Sequence, residues 1–301
     1  MNNVLVTGGA GFIGSHLSAE LLALGYRVRV LDNLDLGRAE WVPSAAEFVQ
    51  GDIRDLGSCR DAVQGMDGVF HCAAMSRAGP SLGTVELCTQ SNIVGTQNML
   101  IAARDAGLRK FVYSGSSTCY GSQPPPHNER ETALEFLNFY ALTKQVGEQY
   151  CFQFAKHFDF PCAVLRYFNV YGPRQPEEGA YALVLGIFLR RWLDGKTLEI
   201  HGDGSQRRDF IHVSDVVRAN IAAYEASCGP GPYNVGSGTN ISVQELADLI
   251  SADQIHTPRR KGDAEVTLAD ISRIRSEIGW SPTISFEDGL KDLVATMRAA
   301  Q

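Results

Sequence analysis

The sequence predicts an α/β fold: a doubly wound parallel sheet followed by a smaller C-terminal α/β lobe that binds substrate. Strand-like and helix-like segments alternate through the first half of the chain, which is the pattern of a parallel sheet with helices on both faces. A glycine-rich turn joins the first strand to the first helix. After residue 169 the pattern loosens, and shorter elements are separated by prolines and glycines. We therefore expect two lobes, with the larger one first.

The elements follow from hydrophobic periodicity. An apolar first strand leads into a helix that ends near Gly25. Further strands are predicted at 26–31, 47–49, 67–74, 110–114 and 162–168. Helices are predicted at 86–106, with Asn92 and Gly95 as interruptions, and at 139–158. Later in the chain, helices at 181–193, 243–250 and 286–297 are joined by strands at 198–201, 210–212 and 233–236, and the last two strands rejoin or abut the first sheet.

Composition excludes several classes of function. The chain has 301 residues, 44% hydrophobic and 20% charged, with a net charge of −7. That balance provides no basic surface for nucleic acid or for an anionic membrane. The seven cysteines are scattered without a C-x-x-C pair, which favours reduced thiols over disulfides or a zinc site. We expect a cytoplasmic protein that binds no metal, no nucleic acid and no membrane.

The glycine-rich turn carries the clearest functional signal. Gly8, Gly11 and Gly14 lie three residues apart between the strand and the helix. This spacing permits a tight turn, the close approach of a pyrophosphate to bare backbone, and close packing of the helix on the strand. Amide groups at the open helix N-terminus favour phosphate binding. The pattern predicts a Rossmann-type dinucleotide site, and a turn without a ligand is the alternative.

The second strand indicates which dinucleotide binds. It ends at Asp32, about twenty residues after the glycines, where a carboxylate meets the adenosine ribose and repels a 2′-phosphate. This favours NAD over NADP, although Arg38 keeps NADP open. Asp52 and Ile53 either flank the adenine or belong to a surface loop. Small residues after the fourth strand, at 72–74, leave space for a ligand at the carboxyl edge of the sheet.

Two groups of polar residues suggest catalysis. Tyr140 and Lys144 lie four apart on a predicted helix and so on one face of it. A lysine ammonium beside a phenol favours the phenolate and lowers the tyrosine pKa from about 10 toward neutrality, so Tyr140 is a candidate general acid or base. The hydroxyls between Ser114 and Gly121 follow the fifth strand, where one can hydrogen-bond the reacting oxygen. The alternatives are a core tyrosine with a solvated lysine, and a serine-rich turn that bonds its own backbone.

Taken together, these motifs resemble a known family. Gly8 to Gly14, Ser114 to Gly121, the Tyr140/Lys144 pair and Arg166 to Arg174 resemble the extended short-chain dehydrogenase/reductase family. Within it, the chain is most similar to the nucleotide-sugar epimerases typified by UDP-glucose 4-epimerase. Segments 207–215 and 259–263 match as well, so the resemblance covers nearly the whole chain.

The resemblance implies an organisation and a set of roles. Residues 1–168 would form the NAD-binding Rossmann domain, joined by about 207–240, and 169–301 would form most of the nucleotide-sugar-binding lobe. Tyr140 would take the proton of the sugar 4-hydroxyl while hydride passes to NAD, Ser116 would hydrogen-bond that oxygen, and Lys144 would hold the nicotinamide ribose. The implied cofactor-binding residues are Gly8, Gly11, Phe12, Ile13, Gly14, Asp32, Asn33, Asp52, Ile53, Cys72, Ala73, Ala74, Asn92, Tyr140, Lys144, Tyr167 and Phe168. The implied substrate-binding residues are Ser76, Ser116, Tyr140, Asn169, Arg208 and Arg260.

Departures from the family pattern narrow the reaction. Ser117 and Thr118 stand where the dehydratase branch has an Asp-Glu pair, and the glutamate typical of the decarboxylase branch is missing from this turn. This favours epimerisation at C4 of a UDP-hexose. A dehydratase, a keto-sugar reductase and a non-catalytic NAD-binding sensor remain as alternatives. Thr267 occupies the position where some enzymes of this group carry a tyrosine that narrows the sugar pocket. The smaller threonine would leave room for an N-acetyl group. A homodimer through the helices near 86–106 and 140–157 is also implied.

Overall fold

The computed structural model describes residues 2–76, 78–131, 135–177, 182–258 and 265–299. The strands are β1 (Asn3–Thr7), β2 (Arg27–Asp32), β3 (Glu47–Gln50), β4 (Gly68–His71), β5 (Lys110–Ser116), β6 (Cys162–Tyr167), β7 (Asn169–Tyr171), β8 (Leu198–His201), β9 (Arg207–Arg208), β10 (Phe210–His212), β11 (Tyr233–Val235), β12 (Ile241–Ser242) and β13 (Gln254–Thr257). The helices are α1 (Phe12–Ala23), α2 (Leu56–Ala62), α3 (Ala78–Gly83), α4 (Val85–Thr89), α5 (Gly95–Asp105), α6 (Phe139–Phe158), α7 (Val184–Leu193), α8 (Val213–Glu225), α9 (Val243–Ile250), α10 (Ser272–Glu277) and α11 (Phe286–Ala299).

A seven-stranded parallel sheet forms the centre of the molecule. Its strand order is β11-β6-β5-β4-β1-β2-β3, and the pairing of neighbouring strands is parallel throughout. The chain runs outward from β1 to β3 and then returns to β4 on the other side of β1. Ligands of such sheets bind at the carboxyl ends of the strands where the order reverses. The predicted doubly wound sheet is therefore confirmed, and β1 and β4 flank its switch point.

Packing explains why the first strand and helix form where the sequence predicts them. Val4, Leu5 and Val6 are fully buried in β1, as expected for a central strand covered on both faces. Leu17 and Leu21, one turn apart on α1, are fully buried as well and join the core on one side of the sheet. This packing fixes the N-terminus of α1 directly above the glycine-rich turn.

Several elements differ from the prediction. The sequence analysis missed α8, which lies against α1, β5 and β6, and the short α10. The predicted helix at 86–106 consists of α4, a π-helical turn over Gln90–Val94, and α5. The fourth strand ends at His71, and only one of the two late strands rejoins the first sheet. That strand is β11, which pairs with β6, whereas β10 pairs with β7 in a separate ladder.

Hydrophobic side chains form three clusters in the described residues. Two lie on either side of the seven-stranded sheet. The third gathers the later elements, and its members include Tyr171, Leu185, Phe188 and Leu293. Across the described part of the chain, no helix combines the length and the apolar character needed to cross a membrane.

Candidate active site

A large cavity opens at the carboxyl ends of the central strands. Its volume is about 1520 Å³, above the roughly 300–1,000 Å³ typical of sites for one small ligand, so it has room for a dinucleotide and a second ligand side by side. The predicted site residues that line it are Gly8, Gly11, Phe12, Ile13, Gly14, Asp32, Asn33, Asp52, Ile53, Cys72, Ala73, Ala74, Ser76, Ser116, Tyr140, Lys144, Tyr167, Phe168, Asn169 and Arg208. Residues far apart in the chain therefore meet as the sequence analysis expected.

The glycine-rich turn forms a cradle that side chains would fill. Gly8 has a φ of +69°, and a Cβ there would lie 2.7 Å from the Ala73 backbone nitrogen. A Cβ on Gly14 would lie 2.2 Å from the Gly8 carbonyl oxygen. The Gly11 amide donates to that same oxygen over 3.1 Å. Positions 8 and 14 therefore have room only for glycine. The first residues of α1 line the cavity, where their backbone amides can bind a phosphate.

Asp32 links the end of β2 to this turn. Its carboxylate accepts hydrogen bonds from the Ala10 amide at 3.0 Å and from the Leu34 amide at 2.8 Å. Burial raises the pKa of Asp32, and the two amides act in the opposite direction. One carboxylate thus holds the glycine-rich turn and also faces the predicted ribose position.

Asp52 follows β3, the strand that pairs with β2 at Asp32, and lies in a more polar setting. It pairs with Arg54 and accepts a hydrogen bond from the Asn33 side chain at 3.0 Å. Hydrogen bonding from Arg54 lowers the pKa of Asp52 to about 2. Asp52 is therefore a fixed anion at this edge of the cavity.

Lys144 is held in place by β5. Its Nζ donates to the Ser114 carbonyl oxygen over 2.8 Å and lies 4.9 Å from the centre of the Tyr113 ring. Burial lowers the pKa of Lys144 to about 8, because desolvation penalises the ammonium. Tyr140, one helical turn earlier on α6, lines the same cavity. The ammonium is thus still formed at neutral pH and is fixed next to the candidate acid or base.

Ser116 caps a turn and also lies at the cavity. Its hydroxyl caps the short 3₁₀ turn Ser117–Tyr120, since it accepts from the Thr118 amide at 3.3 Å and lies 2.9 Å from the Thr118 hydroxyl. Ser116 also lines the cavity. When the Thr118 hydroxyl is the donor in their contact, the Ser116 proton can be donated to a ligand oxygen.

Two predicted site residues are missing from the described lining of the cavity, for different reasons. Asn92 is 1% exposed and is absent from the lining; its side chain binds the Met75 backbone at both N and O and the Thr143 hydroxyl. In this structure the Asn92 side chain, which lies in the π-helical turn, is engaged by these groups, and its contact with a cofactor stays a prediction. Arg260 lies outside the described residues.

The far end of the cavity carries the predicted substrate residues. Asn169 donates to the Thr267 hydroxyl and to the Asp209 carbonyl, each at 3.0 Å. The Arg208 guanidinium bonds the Gln206 side chain at 3.0 Å and lines the cavity. A compact threonine and a cation therefore face the second ligand position.

The sequence analysis missed Arg174 as a site residue. Its guanidinium donates to the Ser15 hydroxyl at 3.0 Å, in the first turn of α1, and it lines the cavity. Arg174 has a φ of +66°, a left-handed conformation that non-glycine residues seldom adopt. The sequence shows an arginine two residues after Gly172, but its spacing from neighbouring residues does not predict a contact with α1.

The described residues contain no cluster of three or more histidine, cysteine, aspartate and glutamate side chains arranged to hold a metal.

The fold and the cavity define a dinucleotide-binding enzyme of the short-chain dehydrogenase/reductase type, with a serine, a tyrosine and a lysine beside a glycine-rich phosphate cradle. The chain belongs to the NAD-dependent epimerase/dehydratase family, whose model matches residues 4–236. The NAD expected from the sequence is thus the cofactor of its family.

Individual relatives match over nearly the whole chain. A UDP-glucose 4-epimerase of Mycolicibacterium smegmatis is 36% identical over 98% of both chains. A UDP-N-acetyl-alpha-D-glucosaminuronate decarboxylase of Bacillus cytotoxicus is 33% identical over 98% of this chain and 97% of its own. The crystal structure of a UDP-glucose 4-epimerase from Thermotoga maritima with UDP-glucose superposes with a TM-score of 0.94, at 35% identity and 99% coverage of both chains.

Proposed function

We propose that the protein is an NAD-dependent nucleotide-sugar epimerase that inverts C4 of a UDP-hexose through a transient 4-keto sugar. The observation that carries the proposal is the meeting of Ser116, Tyr140 and Lys144 in one cavity with the glycine-rich cradle. The similarity to UDP-glucose 4-epimerases over almost the full chain supports it.

The residues have distinct tasks in this reaction. Tyr140 as phenolate takes the proton of the sugar 4-hydroxyl, and later returns it to the opposite epimer. Ser116 donates a hydrogen bond to the same oxygen and stabilises charge that develops there. Lys144, held by the Ser114 carbonyl, favours the phenolate through its charge and donates to the nicotinamide ribose. When bound, NAD would supply a reversible hydride acceptor for C4 of the sugar.

The phosphates of NAD and those of the sugar nucleotide bind at two separate places in this proposal. The cradle of Gly8, Gly11 and Gly14 holds the pyrophosphate of NAD. Asn169 and Arg208, with Arg260, hold the diphosphate of the sugar nucleotide, a task for which the planar guanidinium fork is suited.

The size of the sugar substituent that the pocket accepts depends on Thr267. It lines the cavity between Asn169 and Arg208, and its hydroxyl is engaged by Asn169 and by the Asp209 amide. Because threonine is short, the sugar pocket accepts an N-acetyl group. We therefore propose UDP-N-acetylglucosamine as a substrate beside UDP-glucose.

The second candidate function is that of a dehydratase, a decarboxylase or a keto-sugar reductase on the same scaffold. The 33% identity to a UDP-N-acetyl-alpha-D-glucosaminuronate decarboxylase supports this candidate. Ser117 and Thr118 argue against elimination, since neither is an acid that could protonate a leaving hydroxide.

The experiment is incubation of the purified protein with UDP-glucose, UDP-galactose and their N-acetyl forms, without added cofactor, followed by separation of the products. The proposal predicts epimers from each pair. Tyr140→Phe is expected to lower kcat by about 10²–10⁴-fold, whereas Tyr150→Phe, on the same helix but away from the cavity lining, retains turnover. Epimer formation by Tyr140→Phe at the wild-type rate would refute the assignment. A deoxy product, or a stoichiometric demand for reduced cofactor, would favour the second candidate.

The organisation of the chain is proposed on the same basis. Residues 1–168 with about 207–240 serve NAD, and 169–301 mainly serve the sugar nucleotide, as the grouping of the third hydrophobic cluster supports. A cytoplasmic location fits the seven free cysteines.

We also propose a homodimer through the helices near 86–106 and 140–157, which are α4, α5 and α6. Phe139 and Leu142 on α6 and Val85 on α4 are about two-fifths exposed, which leaves apolar surface for a second copy. Sedimentation equilibrium that returns the monomer mass at micromolar concentration would refute it.

A further inference from the structure

A buried ion pair lies directly behind the catalytic groups. Arg166 on β6 donates from Nε to Glu148 Oε2 over 2.9 Å and from Nη2 to Oε1 over 2.6 Å. The two side chains are 2% and 3% exposed. This is a bidentate contact, in which two parallel hydrogen bonds fix the orientation of both groups.

The pair joins the two elements that carry the catalytic residues. Glu148 lies on α6 four residues after Lys144 and eight after Tyr140, so all three lie on about the same side of the helix. Arg166 is opposite Gly115 in the β5 ladder, between Ser114, whose carbonyl binds Lys144, and Ser116.

The same guanidinium also supports the turn that follows Ser116. It lies 4.9 Å from the centre of the Tyr120 ring. The Tyr120 hydroxyl is fixed in turn by the Asn234 side chain at 2.6 Å. Arg166 therefore contacts the helix of Tyr140 through Glu148 and the turn of Ser116 through Tyr120.

Stability alone does not explain such a pair. Burying two charges requires their desolvation, and apolar residues of similar volume often stabilise a core equally well or better. What apolar residues cannot supply is a fixed geometry between two elements.

We propose that the Glu148–Arg166 pair is a positioning device that sets Tyr140 and Lys144 relative to Ser116 and, because its two charges cancel, adds no net charge to the surroundings of the phenolate. The proposal rests on the proposed acid–base role of Tyr140.

Burial disfavours the charged forms of the histidine, cysteine and tyrosine side chains around the pair. It lowers the pKa of His71 to about 3 and raises that of Cys119 to about 12. Burial also raises the pKa values of Cys72, Tyr113 and Cys151. Cys88 on α4 also interacts electrostatically with Lys144, Tyr120 on the 3₁₀ turn with Arg166, and Glu129 with Tyr120.

The first test addresses charge. Glu148→Gln keeps the shape but leaves the guanidinium unbalanced about two turns of α6 from Tyr140. A nearby positive charge favours the phenolate, so the acid limb of the kcat/KM pH profile moves down by about 0.5–1 pH unit. The double variant Glu148→Gln with Arg166→Met restores neutrality and returns the limb to the wild-type position. An unmoved or upward-moved limb in Glu148→Gln would overturn the proposal.

The second test addresses geometry. Arg166→Lys keeps the charge and removes the planar fork, so kcat falls about 10–100-fold while KM for the nucleotide sugar, the amount of bound NAD and the acid limb stay at wild-type values. Arg29→Lys is the matched control, because Arg29 pairs with Glu47 at 2.9 Å between β2 and β3; it retains wild-type kcat. Wild-type kcat in folded Arg166→Lys would overturn the proposal.

If either single variant fails to fold, Glu148→Leu with Arg166→Met replaces it, since two apolar groups leave no unpaired charge. This double variant is expected to show reduced kcat with unchanged KM, and wild-type kcat would overturn the proposal. Both tests compare variants with an active wild type, so failure of the proposed function is recognised separately, by absence of turnover in the wild type or by its persistence in Tyr140→Phe.

Discussion

Replacement of Lys144 is expected to make the protein more stable and inactive at once. Burial lowers the pKa of Lys144 from 10.5 to about 8, which corresponds to about 3 kcal/mol of unfavourable free energy for the buried ammonium. Lys144→Met removes that penalty. It also removes the hydrogen bond to Ser114 and the contact with the Tyr113 ring, together worth about 1–2 kcal/mol. The net gain is about 1–2 kcal/mol at pH 7.

The pH dependence gives this prediction its sign. The pKa of Lys144 is lower in the folded protein than in the unfolded chain. Between about pH 8 and 10.5, Lys144 is therefore protonated in the unfolded chain but not in the folded protein. The stability of the wild type rises with pH in this range. Below pH 8 the full penalty is present. The advantage of Lys144→Met over wild type is therefore largest at pH 7 and shrinks as the pH approaches 10.

The assay is thermal unfolding of both proteins after removal of bound dinucleotide, at pH 7, 8.5 and 10. For a chain of 301 residues, the gain corresponds to a Tm increase of about 2–3 °C at pH 7, with turnover lost because the charge beside Tyr140 is gone. A variant less stable than wild type at pH 7, or a difference that does not change with pH, would refute this reasoning.

Further variants probe the cavity wall. Gly14→Ala would bring a Cβ within 2.2 Å of the Gly8 carbonyl oxygen; a shift of α1 that relieves it costs about 1–3 kcal/mol, so NAD affinity measured by calorimetry should fall about 5–100-fold. Gly83→Ala, which meets nothing within 4 Å, is its control, and equal affinities in the two variants would contradict the cradle. Asp32→Asn removes the negative charge from the ribose position, so the ratio of NAD to NADP affinity should fall about tenfold or more; an unchanged ratio would assign the selectivity elsewhere. Thr267→Tyr fills the sugar pocket, so turnover of the N-acetyl substrates should be lost while that of UDP-glucose remains, and equal loss of both would show that the side chain disrupts the site generally.

The sequence predicts the central sheet and the long catalytic helix because their hydrophobic patterns are strong and local. Helix α6 spans Phe139–Phe158 as its periodicity predicts. Helix α8 was missed because it directly follows strand β10 and begins with valines at 213, 216 and 217, and β-branched residues so close to a strand obscure a helical period. Its packing on α1 decides its conformation, and that contact is not visible in sequence.

In the candidate site, too, some features were predictable from the sequence and others were not. The glycine spacing and the Tyr140/Lys144 spacing are local signals, and the residues meet in the cavity. The Asn92 side chain binds the Met75 backbone and the Thr143 hydroxyl, and the Glu148–Arg166 contact joins residues of a helix and a strand. Neither could be deduced from spacing, because each depends on how two elements pack.

The most direct test of the account follows a label at the reacting carbon. The wild-type protein is incubated with UDP-glucose deuterated at C4, in ordinary water and without added cofactor, and the UDP-galactose formed is analysed by mass spectrometry and NMR. If hydride leaves C4 and returns to the same carbon while Tyr140 handles only the hydroxyl proton, the epimer retains deuterium at C4. An epimer that carries solvent hydrogen at C4 would contradict the mechanism.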